Sequence, residues 1–179
     1  VAITGGTITG LGTPSAASDA STKSYVDSIA QGLRLKPNAR VATTAALADA
    51  YTSAATTLTK TSNGAFTAQD GVTLVANEVV LVKDQSGANE KDNGWYKLTT
   101  VGSGAAPWLL TRIDEADTAS ELAEGSFSWI AEGTVNFNSR WAVLAGPATL
   151  GTSAVTFTQI GGTLSSQAGG GLVTGAGGA

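Results

Sequence analysis

The 179-residue sequence contains no cysteine, no histidine and no methionine. Without cysteine there are no disulfides, no thiolate zinc sites and no cysteine nucleophile, and the redox compartment is left open. Without histidine the usual general base and the usual zinc ligand are missing, and every Ser-His-Asp arrangement is excluded. That weighs against an ordinary hydrolytic enzyme, and no catalytic residue, cofactor or metal is expected. Without methionine, Val1 is not a retained initiator. Together with the Gly-rich end "SSQAGGGLVTGAGGA", this gives the expectation of an internal piece of a longer chain.

Charge is scarce as well: Asp, Glu, Lys and Arg make up 13% of the chain, about half the share of an ordinary soluble domain. The net charge is -4, and the ten Lys and Arg are scattered singly from Lys23 to Arg140. Phosphate neutralisation needs clustered bases, so no nucleic-acid partner is expected. No apolar run approaches the roughly 20 residues that span a bilayer, and no membrane insertion is expected.

What the chain has in abundance is glycine, 23 residues of it, together with Thr, Ser and Ala. A hydrophobic content of 42% supports one modest core rather than two. Residues 1–12, "VAITGGTITGLG", read as an extended stem too thin to bury anything alone. Pro14 breaks it, and Ser15, Ser18 and Asp19 offer N-cap oxygens, which places a helix start near Ser18 or Asp19. Thr22, Val26, Ile29 and Leu33 follow at spacings of four, three and four, the seam of a coiled coil. Val26, Ile29 and Leu33 could equally form the buried stripe of an ordinary amphipathic helix. Lys36-Pro37 ends the helix, and one this short is marginal in water without partners.

From Arg40 onward, short β-branched and aromatic runs alternate with Gly, Asn and Asp turns. Strands are expected at 40–43, 57–61, 79–82, 94–99, 109–113, 126–131, 140–143 and 156–160, a spacing that suits an antiparallel β-sandwich or open barrel. "EVVLVKDQ" is apolar enough for a strand buried on both faces. Two segments lack clear periodicity. "TTAALADAYTSAATTLT" (43–59) reads as an irregular loop, and "IDEADTASELAEG" (113–125) as a loop with one helical turn, capped by Asp117 or Thr118 and stopped at Gly125. The chain thus divides into 1–36, stem and short helix; 37–161, the β module; and 162–179, a Gly-rich linker.

Few groups offer chemistry. Asp114, Glu115, Asp117, Glu121 and Glu124 form the densest acidic cluster, but helix capping and a solvated face explain them better than a glycosidase pair. "DQSGANEKDN" (84–93) lacks the fifth-position oxygen ligand and later glutamate of a calcium loop, and reads as a turn. Of Trp95, Trp108, Trp129 and Trp141, all but Trp108 sit on strand patterns. Trp108 follows Pro107 in a Gly/Ala loop and is the candidate for exposure, and so for stacking on a sugar.

With these residues in view, the chain resembles tail-fibre proteins of tailed bacteriophages. "ITGLGTPSAASDASTKSYVDS" is similar to a recurring fibre segment of pattern LxxPxxAxDAxxKxYVD. Leu11, Pro14, Ala17, Asp19, Ala20, Lys23, Tyr25, Val26 and Asp27 match it. "ARVATTA", "DGVTLVANEVVLVKDQ", "NGWYKL", "WLLTRIDEADTASELAEGSFSWIAEGT" and "RWAVLAGPATLGTSAVTFTQI" are similar, in that order, to a module that often follows. The stretch "ALADAYTSAATTLTKTSNGAFTAQ" is longer than the hairpin that module leads one to expect. The resemblance implies a homotrimer in which Thr22, Val26, Ile29 and Leu33 pack about a threefold axis. It implies a non-enzymatic structural and adhesive part of a virion tail fibre, assembled in the host cytoplasm. Its partners would be other phage tail proteins and host cell-surface polysaccharide. A carbohydrate-binding module using Trp108 is the competing expectation.

Overall fold

The computed structural model describes residues 10–16, 18–23, 25–26 and 35–161. The expected stem at 1–9, the seam positions Ile29 and Leu33, and the linker at 162–179 lie outside the described residues.

The chain is mainly β. The strands are β1 (Val41–Ala42), β2 (Tyr51–Ser53), β3 (Thr57–Lys60), β4 (Val79–Val82), β5 (Gly94–Thr100), β6 (Leu109–Arg112), β7 (Phe127–Trp129), β8 (Arg140–Ala145) and β9 (Thr156–Gln159). Six of them form one sheet in the order β1-β4-β5-β6-β3-β2, and three form a second in the order β7-β8-β9. All pairings are antiparallel except that of β1 with β4. After β1 the chain crosses to the far edge to build β2 and β3, then returns beside β1 in the same direction. This departs from the purely antiparallel expectation.

The strand β4 explains why the larger sheet is apolar on both faces. Successive side chains alternate sides. Val80 and Val82 join Val41, Leu58, Tyr96, Leu98, Leu110, Trp108, Phe66 and Leu74 in one cluster. Leu81 joins Trp95, Ala42, Ile130, Val143 and Val155 in the other, which therefore includes residues of the smaller sheet. Trp95 locks that contact: its indole N–H donates to Ser128 Oγ at 2.6 Å, and its ring meets Phe157 edge-on at 5.1 Å. Burying one aromatic of this kind stabilises by roughly 4 to 6 kcal/mol on area alone.

Two further devices join the sheets. The segment before β1 lies along β7, with Lys36 N donating to Phe127 O at 2.8 Å and Ala39 N to Trp129 O at 3.0 Å. Leu35 and Lys36, assigned above to the stem, are thus bonded to the β module. Asp70 reaches the 134–136 loop, where its carboxylate accepts the backbone N–H groups of Thr134, Val135 and Asn136 and the side-chain amide of Asn136. These donors hold Asp70 below the usual carboxylate range even though burial acts to raise it.

The helix expectation is corrected at its start. Asp19 does not cap a helix ahead of it; its carboxylate turns back to accept Ser15 N and Ala16 N, both at 2.8 Å. Lys23, Tyr25 and Val26 are helical, and the cap is Thr22, whose Oγ1 accepts Tyr25 N at 3.1 Å. The stretch 43–59, expected as a loop, contains β2, whose residues pair with Leu58, Thr59 and Lys60 of β3. The 84–93 segment, expected as a turn, contains a 3-10 helix over Gly87–Asp92.

Candidate functional site

The 3-10 helix stands on an unusual foundation. Arg112, 2% exposed, ends β6 and has no carboxylate on its guanidinium. It donates instead to three backbone carbonyls: Ala55 O at 2.9 Å, Asn93 O at 3.0 Å and Lys91 O at 3.1 Å. Its face lies 4.7 Å from the Tyr96 ring centroid, and burial pulls its affinity for the proton down. The backbone approaches so closely here that a Cβ at Gly94, whose φ is +151°, would sit 2.0 Å from Arg112 Nη1. Glycine is required at that position.

Asn93, 1% exposed, completes the clamp. Its Oδ1 accepts Gln85 N at 2.9 Å, and its Nδ2 donates to Gln85 O at 3.1 Å and Val155 O at 2.8 Å. Tyr96 adds a hydroxyl donated to Asp92 O at 2.8 Å. The loop is therefore held at both ends by buried groups whose hydrogen bonds are made.

Above that loop, β2 and the residues before it form the second wall of a cleft of about 300 Å³. Leu47 and Tyr51 supply its apolar surface. Asp49 accepts Lys60 Nζ at 2.7 Å and Trp108 Nε1 at 2.8 Å. Burial acts to raise its pKa, but these two donors and the lysine charge outweigh it and hold the group below the ordinary value. Asp92 accepts the Tyr51 hydroxyl at 3.1 Å and Lys91 Nζ at 3.0 Å. Burial, then the Asp92 charge, pushes the Tyr51 phenol well above its ordinary range, so it is a neutral hydrogen-bond donor at all physiological pH. Gln85 differs from these neighbours: it lines the cleft, is 5% exposed, and its Nε2 is buried without a hydrogen-bond partner. An orphaned buried amide of this kind costs about 1 to 3 kcal/mol.

The positions singled out in the sequence fall elsewhere. Trp108 is fully buried, which corrects its expected exposure. The loops at 64–66 and 101–107 close over it, with Phe66 edge-on at 5.3 Å and Gly64 bridged to Pro107. A buried indole needs an acceptor, and Asp49 provides it. Of the other tryptophans, Trp129 is 39% exposed, with the Arg140 guanidinium 4.6 Å from its ring centroid. In the acidic cluster, the expected helical turn lies earlier in the chain, as a 3-10 turn over Asp114–Ala116 with no cap from Asp117 or Thr118. Thr118 and Glu121 instead close a turn by reciprocal bonds, Thr118 N donating to Glu121 Oε2 at 3.0 Å and Glu121 N to Thr118 Oγ1 at 3.4 Å. Asp117 is raised, by burial first and then by its contact with Glu121. Of the seam positions, Thr22 spends its hydroxyl on the cap, and Val26 is 51% exposed.

Asp49, Tyr51, Gln85 and Asp92, the polar heart of the cleft, were not marked by any spacing in the sequence. The only local signal is that "ADAY" and "DQSGANEKD" each combine carboxylates with turn residues, a combination common in loops. Among the described residues no group of three or more Asp or Glu is placed to hold a metal ion. No helix among them is long and apolar enough to cross a membrane. No protein-family profile, no curated protein sequence and no solved structure matches the chain.

Proposed function

We propose that the chain is a structural and adhesive segment of a homotrimeric bacteriophage tail fibre, linking the virion tail to recognition of a host-cell receptor. The observation that carries the reading is the run from Leu11 to Asp27, with its Pro14, Asp19, Lys23 and Tyr25-Val26-Asp27 in the fibre order. Two local features support it. Asp19 folds back on Ser15 and Ala16 and so makes a defined turn after the extended stretch, and Thr22 then opens a helix. Val26, half exposed in the single chain, is the kind of apolar residue that three copies would cover about an axis. In this reading the two sheets with their shared cluster form a sandwich module carried by each of three chains. The assembly acts by presenting three copies of any weak site on one axis. Other tail proteins and cell-surface polysaccharide are its partners.

Light scattering on the full chain tests this. The expected mass is about three times the 17.8 kDa of one chain, falling to one chain mass in Val26→Asp with the β signature of circular dichroism unchanged. A monomeric wild type would sink the trimeric reading and leave the helix as a packing element.

A further inference from the structure

We propose that residues 163–167, the run "TLSSQ", add to the smaller sheet as its fourth strand, antiparallel on the free edge of β9. The inference is independent of the fibre reading, since it rests on that edge and on the chain that leaves it.

Backbone direction shows that the edge is open. Ile160 N donates to Arg140 O at 2.9 Å, and the backbone groups of successive strand residues point to opposite sides of the strand. Thr158 and Ile160 therefore face β8, and Val155, Phe157 and Gln159 face away from it. Val155 is satisfied there: its N–H donates to Glu90 O at 3.0 Å, and its carbonyl accepts Asn93 Nδ2 at 2.8 Å. Among the described residues, no group bonds the outward N–H and C=O of Phe157 and Gln159. The outer edges elsewhere have neighbours. The run from Leu35 to Ala42 lies between β7 and β4, and Lys91 and Asp92 of the 3-10 helix bond Ser53 and Tyr51 of β2.

An exposed edge is normally guarded by charge or proline, because its row of unpaired donors and acceptors is a template for another strand. β9 with Ile160, "TFTQI", carries neither. A strand is what such an edge fits, and the chain itself supplies one at the right place. It leaves β9 through Gly161, whose φ of +65° lies in the left-handed region that reverses a chain, and Gly162 follows. Because Ile160 faces β8, the hairpin closes on Gln159 across a short glycine-containing loop, a common hairpin connection. Residues 163–167 hold no proline, no glycine and no charge, and glycine returns at Gly169. Every one of the five can donate to a ladder. The loop to be closed is short, so its entropic cost is small, and this segment reaches the edge ahead of a second chain or a separate peptide. Its pairing removes the one edge through which modules could join sheet to sheet.

The test is amide hydrogen exchange on the full chain, labelled with 15N. Phe157 and Gln159 should exchange about 100-fold more slowly than unstructured peptide, although neither N–H has a partner among the described residues. Neighbouring positions on a strand alternate in direction, so either Leu164→Pro or Ser165→Pro deletes an N–H that faces β9. At least one of them should speed exchange at Phe157 and Gln159 by about tenfold or more, while Thr158, paired with Ala142 of β8, stays protected. Labelled wild type co-assembled with that variant, unlabelled, tells a chain's own strand from a neighbour's: the labelled amides should keep their full protection. If neither variant folds, nuclear Overhauser contacts from Phe157 or Gln159 to residues 163–167 of the wild type decide. The inference is overturned if the two amides exchange as unstructured peptide does, if they are protected but neither proline moves them, if co-assembly lowers the protection of the labelled chain, or if those contacts are absent.

Discussion

The indole nitrogen of Trp95, on the larger sheet, donates to the hydroxyl of Ser128, on the smaller one, at 2.6 Å, and both residues are fully buried. The bond gives a polar anchor to a contact that is otherwise apolar and edge-on aromatic. Ser128→Ala removes the acceptor and leaves a buried donor unpaired. We expect a loss of about 1 to 3 kcal/mol, read as a lower urea midpoint at unchanged slope.

Asp70 gives a pH-dependent prediction. Its pKa is held below the ordinary value in the folded chain. The unfolded state therefore binds the proton first as pH falls, and the stabilisation is present above roughly pH 4 and lost as pH falls through the folded value. Asp70→Ala should cost about 2 kcal/mol at neutral pH, and the gap from wild type should close in acid. A gap that stays constant down to acid pH would show that the loop is held by something other than the carboxylate.

Arg112 should be sensitive even to a conservative change. Lysine keeps the charge but not the planar fork that reaches Ala55, Lys91 and Asn93 at once. Arg112→Lys is expected to lower stability by about 2 to 3 kcal/mol. It should also speed amide exchange at Asn93, whose N–H bonds Glu90 O. Exchange unchanged there would mean the 3-10 helix does not depend on the guanidinium.

Thr118 and Glu121 predict a smaller effect. Thr118→Ala removes the hydroxyl that bonds Glu121 at both its carboxylate and its backbone N–H and should cost about 1 kcal/mol, measured by thermal unfolding. Because Glu121 would lose a hydroxyl donor, Glu121→Gln in the same background should add little further.

How far the sequence carried the fold depends on the element. The strand at Val79–Val82 was legible to the residue because a continuous, Val-rich apolar run of this length is satisfied by burial on both faces. β2 was not, since "YTS" has no pattern of its own and becomes a strand by pairing with Leu58, Thr59 and Lys60. Trp108 was misplaced for a related reason. Its neighbours Pro107, Ala106 and Ala105 describe a loop, and only the fold brings Phe66 and Asp49 over it. Gln85 could not have been singled out at all. Nothing in "KDQSG" distinguishes it, and only the fold shows Asn93 fixing its backbone while its side-chain nitrogen goes unpaired.

The run from Leu35 to Ala42 lies first along β7 and then along β4, parallel to each. Ala39 and Arg40 bond outward to both sheets, Ala39 N to Trp129 O and Arg40 N to Val79 O. A pull on the chain at Leu35 therefore meets the smaller sheet first, at Lys36 and Ala39, and the larger sheet from Arg40 on. The two sheets cannot separate there without breaking this run's bonds to one of them.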